Sequence, residues 1–597
     1  MWPLPTELIG GKWISEPPST AKVQRVHSGV EISRKGDYVP VNGLKLVGVE
    51  SLILAVTFIM AMLGSRLRHR PWERPHWLSW ILASNRRSVL SVCALALISR
   101  ALLLPFVGIP QPRINDEYSY LLMADTFSHF RLTNPTPPEW QHFETFWVNL
   151  TPTYHSKYPV SQGIVLAFGE IVFHQPWVGV YLSTAVLCGA ICWALQAFVS
   201  PGWALLGGCL AVLRIAIFSY WMNSYWGGSM AALGGAIAVG SVVRIFEKNR
   251  TELSRFVLAC LFAVSLLILG TSRPFEGLAF SLPLLVYGTY KIVRLLVRRE
   301  ITLRSTVLPI GVIGLAGALM MGYYNERTTG NPLLLPYALN ERTYSPLPLF
   351  LWQNGRSSFR FRDPAFAKFY EALVKEYSYG KMKSAAGLRD IEVSRFLQAW
   401  FFYIGAALSL PILIGLIASL QQRRLRLVVA AALCTAIAFA SSFYTMMHYA
   451  APATIAIYLL GVVGLRYMWL QRRTAERSFV VAVCVTVVVA CLTRQTGAVA
   501  NITFAYPDNR RLISQELENK PGRHLVLVSY DLEHHYPGEE LVHNGADFDS
   551  EKILWARSKG FDSDRQLCRA YPGRTFWMVT TDDESFSLKS LNLCNQP

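Results

Sequence analysis

Three observations predict a mainly α, polytopic membrane protein: long apolar runs, few charges, and basic residues gathered in the intervals between the runs. Of 597 residues 52% are hydrophobic and only 16% are charged, below the usual quarter for soluble domains. A spanning helix needs roughly 20 mainly apolar residues. The chain offers about 12 such segments, at 47–64, 88–108, 177–198, 202–221, 225–246, 256–271, 275–292, 305–323, 397–420, 426–444, 449–468 and 478–496. The apolar run Ile164–Phe173 is too short to cross and suits a juxtamembrane, interfacial helix.

The net charge of +18 is distributed as membrane loops distribute it. Basic sets lie within 66–87, at Arg244, Lys248, Arg250 and Arg255, at Lys291, Arg294, Arg298, Arg299 and Arg304, at Arg423, Arg424 and Arg426, and at Arg472, Arg473 and Arg477. Cytoplasmic loops carry such an excess. With no nucleic-acid-binding module, glycine-rich phosphate loop or zinc spacing in the chain, nucleic acid is not expected as a partner. All these sets are cytoplasmic together if 164–173 does not cross. Loops 109–176, 222–224, 272–274, 324–396 and 445–448, and the chain from about residue 497, then face outward.

The expected organisation is a polar tail over 1–45, an extra N-terminal span with a basic cytoplasmic loop over 46–87, a membrane module over 88–496 and a small external α/β domain over 497–597. The polar, proline-containing start has no cleavable signal, so the first span reads as retained.

The polar groups that topology does not explain all fall on the outer side. Asp116 and Glu117 follow Asn115, which reads as the N-cap of a helix running to about His129. Carboxylates suit a first helical turn, and one beside the membrane also suits removal of a proton from an acceptor hydroxyl. Lys157 and Tyr158 precede the interfacial run, where a lysine meets lipid headgroups or neutralises a phosphate. Arg273 sits between two spans with almost no loop, against the positive-inside pattern. It pairs with Glu276 or binds a phosphate oxygen. Asn223, Tyr225, Asn325, His448 and Tyr449 complete the outer set as candidate substrate-binding residues. Trp221, Tyr225 and Trp226 read as an aromatic belt or a sugar platform, and Gly227, Gly228, Gly234 and Gly235 as sites of close helix approach. Arg214, inside an apolar segment, must face protein or water.

In the tail, His524–Tyr530 and Arg574–Thr580 alternate like strands, and Asp549–Lys559 reads as a helix with Ile553, Leu554 and Trp555 on its apolar face. Cys568 and Cys594 pair if the domain meets an oxidising compartment. His534, His535 and His543 lack carboxylate and cysteine partners at ligand spacing, so acceptor recognition or stabilisation of the outer face is the expected role. The loop 324–396 is long for a bare connection and is expected to cover the site.

The order of these motifs resembles the GT-C glycosyltransferases, in particular the family 39-like branch with the protein O-mannosyltransferases and the lipid A aminoarabinose transferase. The resemblance rests on Asp116-Glu117 after a span, then Lys157-Tyr158-Pro159 and the 164–173 run before the next. It covers roughly 88–330, and the lysine element departs from the family's Lys-Pro-Pro form because Tyr158 intervenes. It implies a polyprenyl-phosphate-linked sugar donor, a glycan, lipid or protein acceptor, and a site at the outer face of the cell (inner) membrane. Asp116 is then the catalytic carboxylate, Glu117 its neighbour or metal-linked helper, and Lys157 and Arg273 the phosphate ligands. The resemblance allows a divalent metal ion, for which no strong ligand set stands out, and no other cofactor is expected. The alternatives are a transporter or flippase for lipid-linked saccharides, which calls for charged groups at the midplane, and a non-catalytic assembly protein.

Overall fold

A computed structural model of the chain describes residues 22–26, 29–33, 43–67, 75–356, 358–376, 379–504, 509–530, 540–581 and 585–594. Each of the predicted apolar segments is largely helical, but the count of 12 straight spans is not reproduced. Among the described residues nine helices are long and apolar enough to cross a membrane. Two others, Pro201–Ala216 and Ser229–Ile245, are shorter apolar helices. The segment expected to run to residue 221 instead ends in a wide turn at Val212–Ala216, and residues 217–228 leave the helix as a packed loop.

The predicted span 397–420 is broken. Helices Ala385–Tyr403 and Gly405–Ser419 meet at 96°, with Gly405 at φ +67°. A helix broken within the membrane leaves backbone groups without partners, and two charged side chains supply them. Arg214 donates from Nε to the Phe402 carbonyl at 3.0 Å and from Nη2 to the Phe401 carbonyl. Glu50, from the N-terminal span, accepts from the Ala407 N–H at 3.3 Å and lies 3.8 Å from Arg214. Position 405 favours glycine because its φ is +67°, and a Cβ there would stand 2.6 Å from the Glu50 carboxylate, displacing it. Arg214 thus acquires a structural role, and the extra span is tied into the module.

The C-terminal part of the chain contributes most of a six-stranded sheet. Its strands belong to the chain-order set β1 (Lys22–Val26), β2 (Gly29–Ser33), β3 (Val148–Asn149), β4 (His155–Ser156), β5 (Arg523–Tyr530), β6 (Ile553–Arg557), β7 (Arg574–Thr581) and β8 (Ser585–Leu591). Their order is β1-β2-β8-β7-β5-β6, with β6 and β7 parallel to β5, while β3 and β4 form a separate pair. β1 and β2 come from the region expected to be a polar tail and extend the sheet through β8. The two strands predicted from alternation are β5 and β7. The helix predicted over Asp549–Lys559 is instead β6: all five of its residues are buried, and a short apolar run buried all round has no periodicity to separate strand from helix. Its free edge is covered by the turn Trp140–Phe143, whose His142 Nδ1 lies 2.9 Å from the Arg557 carbonyl. Cys568 and Cys594 are joined in a disulfide. His534 and His535 lie outside the described residues.

Removing Glu50 leaves Arg214 buried without its carboxylate and the Ala407 amide without its acceptor. Glu50→Ala is expected to cost about 3 kcal/mol, read as a lower midpoint of thermal unfolding in detergent. An unchanged midpoint would show that the broken helix does not depend on this pair.

Candidate active site

The acidic helix spans Asn115–Ser128, close to expectation, but its N-cap is Ile114 rather than Asn115. The cap is made from within the helix. Glu117 Oε2 accepts from the Arg113 and Ile114 N–H groups at 2.8 and 3.3 Å. Its other oxygen accepts from the Tyr225 N–H at 2.9 Å. Glu117 therefore spends its carboxylate on three backbone amides and ties the acidic helix to the loop 217–228.

Asp116 has the opposite environment. It is half-buried, and Oδ1 accepts from the Tyr158 hydroxyl at 2.5 Å. Among the described residues nothing hydrogen-bonds Oδ2. Burial keeps the Tyr158 phenol well above its ordinary pKa, so it remains a donor. Tyr120 stacks on Tyr158 with centroids 4.5 Å apart. Asp116 also lies within electrostatic reach of Lys157, Tyr120 and Tyr449.

Lys157 lies within electrostatic reach of this carboxylate, and Arg273 shares Tyr120 and Tyr449 with it as neighbours. Arg273 caps the junction of helices Glu252–Ser272 and Pro274–Val297, with its guanidinium 4.1 Å above the Tyr449 ring. It lines a small cleft with Tyr120, Pro159, Gln162, Gly227, Gly228 and Ser272. Lys157 is more enclosed. Its ammonium is 3.0 Å from Glu341 and lies over the rings of Trp147 and Tyr337, at 3.5 and 4.5 Å. Burial lowers the Lys157 pKa, and Glu341 opposes that shift.

Tyr337 and Glu341 were not singled out from the sequence. They stand four residues apart on helix Pro336–Tyr344, in the loop expected to cover the site. Asn340 fixes that helix by donating to the Val148 carbonyl at 3.1 Å. The available signal was modest: a proline-started helix presenting an aromatic and an acid at i and i+4.

The other predicted residues brace the elements around the cleft. Tyr225 donates through its hydroxyl to the Pro110 carbonyl at 2.9 Å, tying the loop to the segment that leads into the acidic helix. Asn223 donates to the Ile217 and Ser219 carbonyls, both at 2.9 Å, and holds the loop's own shape. His448 is buried, with Nδ1 2.9 Å from the Tyr220 hydroxyl and its ring against Trp226. Glu276 is buried within electrostatic reach of Arg273 and accepts from Ser442 at 3.4 Å, with no ion pair to Arg273. Asn325 donates to the Pro332 carbonyl at 3.0 Å and braces a turn. The aromatic belt is corrected: Trp221 is 0% exposed and Tyr225 is buried, so both pack the loop from within. Gly228 permits this, because a Cβ there would meet the Trp221 ring at 2.5 Å. Among the described residues no group of three or more His, Cys, Asp or Glu is arranged to hold a metal ion.

A multi-pass helical module that carries an α/β domain is a fold the chain shares with a solved membrane protein. Among solved structures the chain is similar to ArnT from Cupriavidus metallidurans in the apo state, with a TM-score of 0.51 and 14% identity over 84% of this chain and 97% of that one. The form of ArnT bound to undecaprenyl phosphate overlaps at 0.49 with 13% identity, over 85% and 99%. An oligosaccharyltransferase from Archaeoglobus fulgidus overlaps at 0.42 with 12% identity, over 76% and 62%. Neither of these two adds to the fold assignment. No protein-family model and no curated protein matches the chain.

Burial pushes the Glu117 carboxyl up to about 6 from its usual 4.5, against three backbone amides that hold it down. A raised carboxyl pKa favours folding at low pH, and that contribution is lost as pH rises from about 4.5 through about 6. Relative to Glu117→Gln, wild-type stability is expected to fall by about 2 kcal/mol across that window. The measurement is the difference in melting temperature between the two proteins from pH 4 to 7. Parallel curves would contradict the assignment.

Proposed function

We propose that the protein is an integral-membrane glycosyltransferase that moves a sugar from a polyprenyl-phosphate-linked donor to a hydroxyl-bearing acceptor at the outer face of the inner membrane. The observation that carries this reading is the contrast between the two neighbouring acids. Glu117 is saturated by backbone amides, whereas Asp116 has one oxygen fixed by Tyr158 and the other without a hydrogen bond among the described residues. A carboxylate held by one oxygen and open at the other is suited to accept a proton.

In this reading Asp116 takes the acceptor hydroxyl proton as the acceptor oxygen bonds to the anomeric carbon. The bond from that carbon to the phosphate oxygen breaks, and the electron pair leaves with the lipid phosphate. Arg273, on the cleft wall, binds the phosphate oxygens, and Lys157 adds positive potential from behind Tyr158 and Tyr337. Glu117 is a positioning residue. Support for the lipid carrier comes from the fold shared with ArnT, a protein crystallised with undecaprenyl phosphate. The basic loops support the outward placement of the site.

The reading is tested with purified protein in liposomes, polyprenyl-phosphate sugars and an extract of envelope acceptors. Asp116→Asn is expected to lower kcat by about 10²- to 10⁴-fold. Transfer at the wild-type rate by this variant would remove Asp116 as the base. Wild-type protein that carries donor across the bilayer without consuming it would be a flippase instead. Arg273→Ala is expected to lower kcat/KM for the donor by about 30-fold, the equivalent of about 2 kcal/mol for a charged hydrogen bond. A change confined to the acceptor KM would assign Arg273 elsewhere.

A further inference from the structure

The acidic helix is held on two sides by different parts of the chain. Ser119, Tyr120 and Met123 face the membrane module and its loops: Ser119 donates to the Trp147 carbonyl at 2.6 Å, Tyr120 stacks on Tyr158, and Met123 packs on Gly163. Tyr118, Leu122 and Asp125 meet the C-terminal domain. Their spacing of i, i+4 and i+7 is one face of a helix.

Each of these three makes a different kind of contact. Tyr118 stacks face to face on His543, with centroids 4.0 Å apart and planes 8° apart. Leu122 is 3% exposed and belongs to the apolar core that contains Leu525, Leu527 and Leu554 of β5 and β6. Asp125 Oδ2 accepts from the Ala546 N–H at 2.6 Å. Arg510 braces the contact segment by donating to the Leu541 and His543 carbonyls at 3.2 and 2.7 Å, with its guanidinium 5.2 Å from the Tyr118 ring. Around the helix, the Tyr154 hydroxyl donates to the Asn544 carbonyl at 2.9 Å and Lys559 reaches Asp363 at 2.9 Å. Burial holds the His543 imidazole well below its ordinary pKa, so the imidazole in the stack is neutral.

We infer that the C-terminal domain is a clamp on the acidic helix, and that Tyr118 and His543 are positioning residues that set Asp116 two positions along the same turn. The physical case is one of rigidity. The helix has 14 residues, a length marginal by itself in water. The carboxylate in its first turn holds a fixed position only if both faces are packed. A domain fastened through an aromatic stack, an apolar contact and a backbone cap resists rotation about the helix axis, which any one of these would permit. This assigns the domain a part in the reaction without requiring it to touch either substrate.

The test compares full-length wild type with His543→Ala and His543→Phe, the latter keeping a ring to stack on Tyr118. Hydrogen–deuterium exchange across 115–128 reads the clamp directly and does not depend on the proposed activity. Kinetics of donor consumption read its consequence and rest on the proposed function. His543→Ala is expected to speed exchange in that helix several-fold and to lower kcat about tenfold, with donor KM within about twofold because Arg273 and Lys157 are untouched. His543→Phe is expected to restore both. Asp125→Asn, at the far end of the helix, is expected to speed exchange at its C-terminal turn, and serves if His543→Ala does not fold. Unchanged exchange in both His543→Ala and Asp125→Asn would overturn the clamp, as would a phenylalanine variant as impaired as the alanine one. Altered exchange in a protein whose wild type transfers nothing would leave the clamp standing and remove the proposed function.

Discussion

The candidate site depends on where Glu117 places its two oxygens. One oxygen caps the acidic helix at the Arg113 and Ile114 amides, and the other takes the Tyr225 amide from the loop 217–228. A buried carboxylate is costly unless its lone pairs are used, so this group fixes two backbones relative to each other. The residue before it is left half-buried, with Tyr158 on one oxygen. The neighbouring acids thus divide the work: one is structural because it is saturated, and that leaves the other available.

The membrane module contributes geometry at a distance through its breaks. The short helix ending at Ala216 releases the loop that Glu117 captures. Arg214, in that last turn, also satisfies the carbonyls exposed by the kink near Gly405. One arginine therefore joins the loop's root to a broken helix, and Glu50 fastens the N-terminal span to both. The remaining charges near Asp116 follow the same logic of enclosure. Lys157 is enclosed by two rings and Glu341, whereas Arg273 has Tyr449 behind it and the cleft in front.

Much of this was legible as chemistry and less of it as role. Positive-inside reasoning put Asp116, Lys157, Arg273 and Tyr449 on one face, and the structure gathers them. Only the family resemblance separated Asp116 from Glu117 at that point, because the amide that distinguishes them physically belongs to Tyr225, more than a hundred residues away. Asn223, Asn325 and His448, read as candidate substrate-binding residues, also brace backbone or pack against Tyr220 and Trp226 in the structure. Glu341 and Tyr337 were missed since nothing local marks an acid as the partner of a distant lysine.

By itself the sequence determined the membrane class, the segments that become helical, the two strands with clear alternation and the acidic helix, because these rest on composition and short-range periodicity. Tertiary structure decided the rest. It broke the 397–420 segment, where Arg214 and Glu50 satisfy the freed backbone groups. It turned Ile553–Arg557 into a strand, since β5 supplied a hydrogen-bonding edge. It also made Asp116 the open acid of its pair by bringing the Tyr225 amide to Glu117. Each of these outcomes depends on a partner remote in the chain, which no local pattern can name.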